Sequence, residues 1–229
     1  MEKAREHLNE WWHGCLGLAG PFHRFSRPSS IARAARLALW LGSMACMTAG
    51  AFGFTTVVID PGHGGQDRGG IPGQRVPEKV MALDTAERLD VLLRAAGLRT
   101  IMTRQDDTFI SLPRRVQIAN AQRNAVFISI HYNAAPRAAA EGFETYYYSK
   151  RSAKLAAACY SRIVQAWPGT RRGLRTRGFF VIRKTSIPSI LVEPGFLTNP
   201  REAFLISQPE TRQRIANLLA AAIIRQSGI

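Results

Sequence analysis

Thr55-Thr56-Val57-Val58-Ile59-Asp60-Pro61-Gly62-His63 is the stretch that decides the fold. An unbroken β-branched run predicts a buried strand over 55–59, and Asp60-Pro61-Gly62 stops it at a loop. Downstream of that loop, Ala82, Ala86, Leu89 and Leu93 recur at helical spacing from Lys79 onward, with Asp84, Glu87, Arg88 and Arg94 off that face. Gly97 closes this helix. The pattern then predicts a strand at 98–102, a helix near 112–122, a strand at 126–131 (VFISIH) and a strand at 142–148. A helix at 153–167 follows, then a short strand near 179–182, another at 189–193 (SILVE), and an amphipathic tail helix with Ile215, Leu218, Leu219, Ala222 and Ile223 on one stripe. Strands alternating with helices predict an α/β domain whose mostly parallel sheet is covered on both faces. In such a sheet, polar groups at the carboxyl ends of strands meet in one crevice.

Composition agrees with a folded chain. The 229 residues are 46% hydrophobic, with 31 Lys+Arg against 16 Asp+Glu and only three cysteines. That is too apolar for intrinsic disorder, too evenly mixed for a polytopic membrane protein and too poor in cysteine for a disulfide scaffold. Upstream of the decisive strand, Arg33 and Arg36 precede the uncharged residues 37–54 (LALWLGSMACMTAGAFGF), in which Ala49-Gly50-Ala51 forms a small-x-small site. This order predicts an export signal over 1–51 and a single domain over 52–229 located in the periplasm or cell wall. An uncleaved anchor and lipidation at Cys46 are the alternatives, and contact with a membrane is expected only through this N-terminal segment. Cleavage after Ala51 removes Cys15, Cys46 and three of the five histidines, leaving His63, His131 and Cys159. Cys159, at helical spacing from Leu155 and Ile163, reads as a small core residue.

The formal net charge is +15, of which the leader, with six basic and three acidic residues, accounts for +3. The basicity therefore belongs to the domain. For an exported protein the matching polyanions are wall polymers and anionic lipid surfaces, and no nucleic-acid motif accompanies the Arg171, Arg172, Arg175 and Arg177 cluster. That cluster alone reads as a solvated face. A monomer is expected, with no nucleic-acid partner.

The chemistry lies at the predicted strand ends. His63 follows the first strand, His131 closes 126–131, Glu193 closes 189–193, and Glu78 stands just before the first helix. Topology alone brings four metal-competent side chains together. Two imidazoles and a carboxylate suit zinc, and a second carboxylate off the metal can move the proton of an activated water. Glu193 sits in Ile190-Leu191-Val192-Glu193-Pro194-Gly195-Phe196, where an unused carboxylate would be costly to bury. The glycine-rich 61–70 loop does not read as a phosphate cradle, because no Gly-Lys-Ser/Thr ends it. Ser129 and His131 lack the elbow turn of a serine hydrolase.

Val57-Val58-Ile59-Asp60-Pro61-Gly62-His63-Gly64-Gly65, Glu78-Lys79, Thr103-Arg104, Ile128-Ser129-Ile130-His131-Tyr132-Asn133-Ala134, Gly142-Phe143-Glu144-Thr145 and Val192-Glu193-Pro194-Gly195-Phe196-Leu197-Thr198-Asn199 recur in order from about Thr55 to the C-terminus. Together they resemble the catalytic domain of the zinc-dependent N-acetylmuramoyl-L-alanine amidases, the type-3 amidase family. The resemblance implies a six-stranded mixed sheet between helices and zinc held by His63, Glu78 and His131. It also implies Glu193 as general base and acid, Asn133 as a substrate contact, and hydrolysis of the amide joining the lactyl group of N-acetylmuramic acid to L-alanine in peptidoglycan. Pro194 departs from an aliphatic position common in the family. Residues 134–141 are too few for the inserted helix that blocks the metal in division-associated members, so an open site is expected. A zinc carboxypeptidase acting on stem peptides and a non-catalytic wall-binding module are the rival functions.

Overall fold

The computed structural model describes residues 53–229 apart from 73, 167 and 168. The expected leader, with Cys15 and Cys46, lies outside these residues. Among the described residues no helix is long and apolar enough to cross a membrane.

Six strands form one sheet: β1 (Thr56–Pro61), β2 (Arg99–Met102), β3 (Ala125–Ile130), β4 (Phe143–Tyr147), β5 (Arg171–Thr176) and β6 (Ser189–Glu193). Their spatial order is β2-β1-β3-β6-β4-β5. β2, β1, β3 and β6 run parallel, with Ile59 beside Ile128 and Ile128 beside Ile190. β4 runs antiparallel to β6 and parallel to β5, so the sheet is mixed at one edge. Among the described residues the α-helices are α1 (Glu78–Ala95), α2 (Leu112–Asn120), α3 (Ala153–Ala166), α4 (Phe180–Lys184), α5 (Pro200–Ser207) and α6 (Pro209–Ser227).

The strand period of two divides the core. Val57, Ile59, Ile128, Ile130, Ile190 and Val192 point to the face covered by α1, α3 and α6, where Leu89, Leu93, Ile163, Leu219 and Ile223 meet them. Val58, Phe127 and Leu191 point the other way, against Ala119 of α2 and Val181 and Ile182 of α4. Both faces of the central strands are thereby buried, and this is why their sequences read as continuous apolar runs. Buried Cys159 packs in the first of these layers, as expected of a core residue.

Local signals set the helix ends. Ser111 Oγ accepts the Arg114 amide at the start of α2, with Pro113 in the first turn. Asn199 Oδ1 caps α5 by accepting the Arg201 and Glu202 amides. Gly228 ends α6 at φ +80°, a left-handed residue suited to glycine.

Two sequence expectations fail at the antiparallel edge. The 179–182 stretch is not a strand: Phe180–Lys184 is the short helix α4, which turns Val181 and Ile182 together into the second core layer. The edge strand is instead Arg171–Thr176, which the sequence presents as a solvated basic face. An edge strand paired on one side needs little apolar alternation, and charge on it discourages aberrant pairing. β5 was therefore hidden by its own arginines.

Candidate active site

β1, β3 and β6 deliver their carboxyl ends side by side. Chain reversal after β1 sets His63 at φ +60°, a left-handed conformation uncommon outside glycine. Several bonds hold it there. Arg115 donates from Nη1 to Pro61 O (2.6 Å) and from Nη2 to His63 O (2.6 Å), while Gly64 and Asp67 exchange two backbone hydrogen bonds. Arg104 donates to Pro61 O, Gly62 O and Lys79 O, tying the loop to α1. A side chain on Gly62 would collide with the His131 ring, so the close approach of the two loops requires glycine there.

Behind the loop lies a buried ion pair. Asp60, fully buried, accepts from Arg115 Nη1 (2.7 Å), Thr103 Oγ1 (2.6 Å) and Ser129 Oγ (2.7 Å), which satisfies both its oxygens. β1, β3, α2 and the residue that follows β2 are thus joined at one carboxylate.

In front of the loop, His63 Nδ1 lies 2.8 Å from Asp67 Oδ2, which turns Nε2 toward Glu78. Glu78, 3% exposed in the first turn of α1, accepts the Tyr132 amide at 2.9 Å through Oε1. The same oxygen is 3.1 Å from His63 Nε2 and 2.8 Å from His131 Nδ1, and those two nitrogens are 3.1 Å apart. Three ligand atoms therefore form a nearly equilateral triangle. Tetrahedral zinc, with bonds of about 2.0–2.1 Å, spaces its ligands about 3.3 Å apart, so a cation above this triangle needs only a small spread. The donor set and its Asp67 support also suit zinc. Among the described residues these three side chains form a group able to hold a metal ion.

Charge follows the geometry. Burial alone would raise the Glu78 carboxyl, yet hydrogen bonds and charge from His131 and His63 hold it down to about 2. Burial works against protonation of His63, but Glu78 and Asp67 outweigh it and raise its pKa. Glu193, at the end of β6, behaves oppositely. Burial, then the charges of Glu78 and Glu144, push its carboxyl up to about 8. The residue is partly exposed as a whole, but its Oε2 is buried and accepts no hydrogen bond, an acceptor left for a proton or a donor from outside the chain. A depression of about 550 Å³ opens at His63 and Asp67 and shares Ile71, Gln74 and Val76 with a more apolar one of about 580 Å³ reaching Leu197 and Phe204. His63 and His131 are each 21% exposed, and the 134–141 segment between β3 and β4 carries no helix.

The structure thus brings His63, Glu78 and His131 together and sets Glu193 within electrostatic reach of Glu78 and His63. Asn133 stands two residues beyond His131, and its Nδ2 donates to Glu144 Oε2 while its Oδ1 accepts the Ala134 amide. Sequence reasoning assigned no role to Asp60, Asp67, Arg115 or Glu144. Asp67, four residues after His63 in the same loop, was the one with a readable local signal.

Comparison with known proteins agrees with this geometry. Residues 57–225 match the Amidase_3 family, described as N-acetylmuramoyl-L-alanine amidase. N-acetylmuramoyl-L-alanine amidase LytC of Bacillus subtilis (strain 168) is 39% identical over 168 residues, covering 72% of this chain and 34% of that protein. This chain therefore spans about a third of that relative. The catalytic domain of CwlV, an N-acetylmuramoyl-L-alanine amidase from Bacillus (Paenibacillus) polymyxa var. colistinus, superposes with a TM-score of 0.72 at 34% identity, over 75% of this chain and 97% of that one. N-acetylmuramoyl-L-alanine amidase AmiC2 of Nostoc punctiforme gives 0.69 at 37% identity, over 74% and 95%. The match runs from the decisive β1 strand into the last helix and contains the His63, Glu78, His131 and Glu193 cluster, so the chain belongs to the Amidase_3 family of N-acetylmuramoyl-L-alanine amidases.

Proposed function

We propose that the chain hydrolyses the amide between the lactyl group of N-acetylmuramic acid and L-alanine of the peptidoglycan stem peptide, with zinc held by His63 Nε2, Glu78 Oε1 and His131 Nδ1. The observation that carries this reading is the unpartnered, proton-seeking Glu193 carboxyl beside a three-ligand triangle. Zinc in that position supplies a Lewis acid that makes water a nucleophile near neutral pH and draws charge from the carbonyl under attack.

The chain's own residues do the rest. Glu78, fixed by the Tyr132 amide, and His63, fixed by Asp67, keep the ligand atoms aimed at one point. Glu193 Oε2 takes the proton from the attacking water and returns it to the amine nitrogen as the carbon–nitrogen bond breaks. Its burial and the charges of Glu78 and Glu144 favour the protonated form needed for that second transfer. The depression running from His63 toward Leu197 gives an extended substrate room beside the metal ligands. Residues 1–51 act as the export signal that delivers the 52–229 domain to the wall, and its basic surface attracts it to that anionic polymer.

Purified peptidoglycan incubated with the zinc-loaded chain tests this, beside the Glu193→Gln variant and a chelated control, with products identified by mass. Stem peptides bearing a free L-alanine amine, made by the unaltered zinc form alone, are the expected outcome. Release of free amino acids from the peptide end would replace this reading with a carboxypeptidase, and binding without cleavage would replace it with a wall-binding module.

A further inference from the structure

The basic β5 strand is not only a solvated face. Arg172 and Arg175 both turn onto Glu144, with Nε atoms 3.2 and 2.9 Å from the same oxygen, Oε1. Among the described residues, Glu144 is the only carboxylate within ion-pair distance of either arginine. Two guanidiniums on one carboxylate leave a positive charge uncompensated. The Arg172 Nε is buried, and its N–H is aligned on no acceptor. Meanwhile the two side chains are 30% and 44% exposed, so both reach solvent.

This surplus charge is beside the reacting centre. Glu144 sits opposite Glu193 in the antiparallel β4–β6 pair, where facing side chains share one side of the sheet about 5 Å apart. The Arg172 guanidinium lies 4.8 Å from the centre of the Phe196 ring, three residues beyond Glu193, and Glu193 feels its charge. Packing on Phe196 and pairing with Glu144 leave the forks preorganised, and a planar guanidinium suits a carboxylate better than any other anion-binding side chain.

We propose that Arg172 and Arg175 form an anion subsite that binds a carboxylate of the stem peptide, with Glu144 holding the two guanidiniums in place. This rests on the amidase reading for its substrate. In a muramoyl peptide the lactyl carboxyl is consumed in the scissile amide, so the ionised groups near the reacting bond lie on the peptide. The subsite therefore distinguishes stem peptides with a free carboxylate near the L-alanine from those in which that carboxylate is amidated.

Calorimetric binding of the released stem peptide to the zinc-loaded full chain reads the subsite without turnover. The probes are L-alanyl-D-glutamyl peptides with a free α-carboxylate and their α-amides, tested on wild type, Arg175→Gln and Arg175→Lys. The wild type should bind the acid form about tenfold more tightly than the amide. Arg175→Gln should erase that preference while binding the amide within twofold of wild type, and Arg175→Lys should restore part of it. Equal binding of acid and amide by the wild type overturns the proposal. So does an Arg175→Gln variant that weakens both alike, since that marks a structural role. Initial rates on muramoyl peptides of both kinds complete the test, with the preference expected in KM. Absence of cleavage with the binding preference intact defeats the amidase reading and leaves the subsite standing.

Discussion

Glu144 and Glu193 face each other across the β4–β6 pair, and their fates differ although both are carboxylates. Glu144 is surrounded by donors: Asn133 Nδ2, the Tyr146 hydroxyl at 2.8 Å, and the arginines of β5. Glu193 has an oxygen with none, and the Glu144 charge is one of the causes that raise its pKa. One carboxylate is thereby engaged by donors on both oxygens, and the other keeps an oxygen free to exchange a proton.

Replacing Glu144 with Gln removes the like charge beside Glu193 and releases two guanidiniums toward it. Both changes favour ionised Glu193. The acidic limb of the kcat profile should move to lower pH, by up to about one unit. A pH–rate series on the variant checks this, and an unmoved limb would show that Glu193 does not feel its neighbour.

The metal-free protein offers a cleaner view of Glu193. Its folded-state pKa, about 8, stands above the ordinary carboxylate value of 4.5, so ionisation is harder in the fold than in the unfolded chain. For a raised acid the unfolded state gives up its proton first, and stability contributed by this residue falls as pH rises from about 4.5 to about 8. Glu193→Gln lacks that loss. The chelated variant should melt several degrees above the chelated wild type at pH 8, with the gap closing toward pH 4.5. Thermal melts at both ends of this window check it, and a gap that does not change with pH would overturn it.

The reach of the sequence differs sharply among these groups. His63, His131 and Glu193 were legible because each ends a run whose apolar pattern locates the strand, and a parallel sheet gathers such ends. The role of Glu144 depends on register across an antiparallel edge that no local pattern encodes. The Asp60–Arg115 pair was hidden for a related reason: 55 residues separate its partners, and an arginine on a short helix ordinarily faces water. β5 was missed because an edge strand can be charged, whereas Phe179-Phe180-Val181-Ile182 looked strand-like although its buried pair needed a helical turn.

Arg115→Ala leaves buried Asp60 without its arginine and removes the side-chain donor to His63 O, while Pro61 O keeps only Arg104 of its two arginine donors. Breaking a buried ion pair by removing one partner costs about 3–5 kcal/mol. A fall in melting temperature of roughly 10 °C follows for a domain of this size. Because His63 is held at φ +60° by the same arginine, zinc binding should weaken with it. Melting curves and zinc titration on one sample check both effects, and a variant that keeps full zinc affinity would show that the strained turn stands without Arg115.

Asp67→Asn separates metal affinity from fold stability. The Asp67 carboxylate accepts from the Gly69 amide at 3.1 Å and orients His63 Nδ1 at 2.8 Å, but its side chain is 44% exposed and supports no core packing. An asparagine can reproduce one hydrogen bond and loses the charge that strengthens the imidazole as a ligand. Removing an outer partner of this kind typically weakens a metal site 10–100-fold. Zinc affinity measured by competition with a chromogenic chelator should fall within that range, while the melting temperature of the chelated protein stays within about 2 °C of wild type. An unchanged affinity would mean that His63 is aimed by its backbone alone, with Asp67 a bystander to the metal.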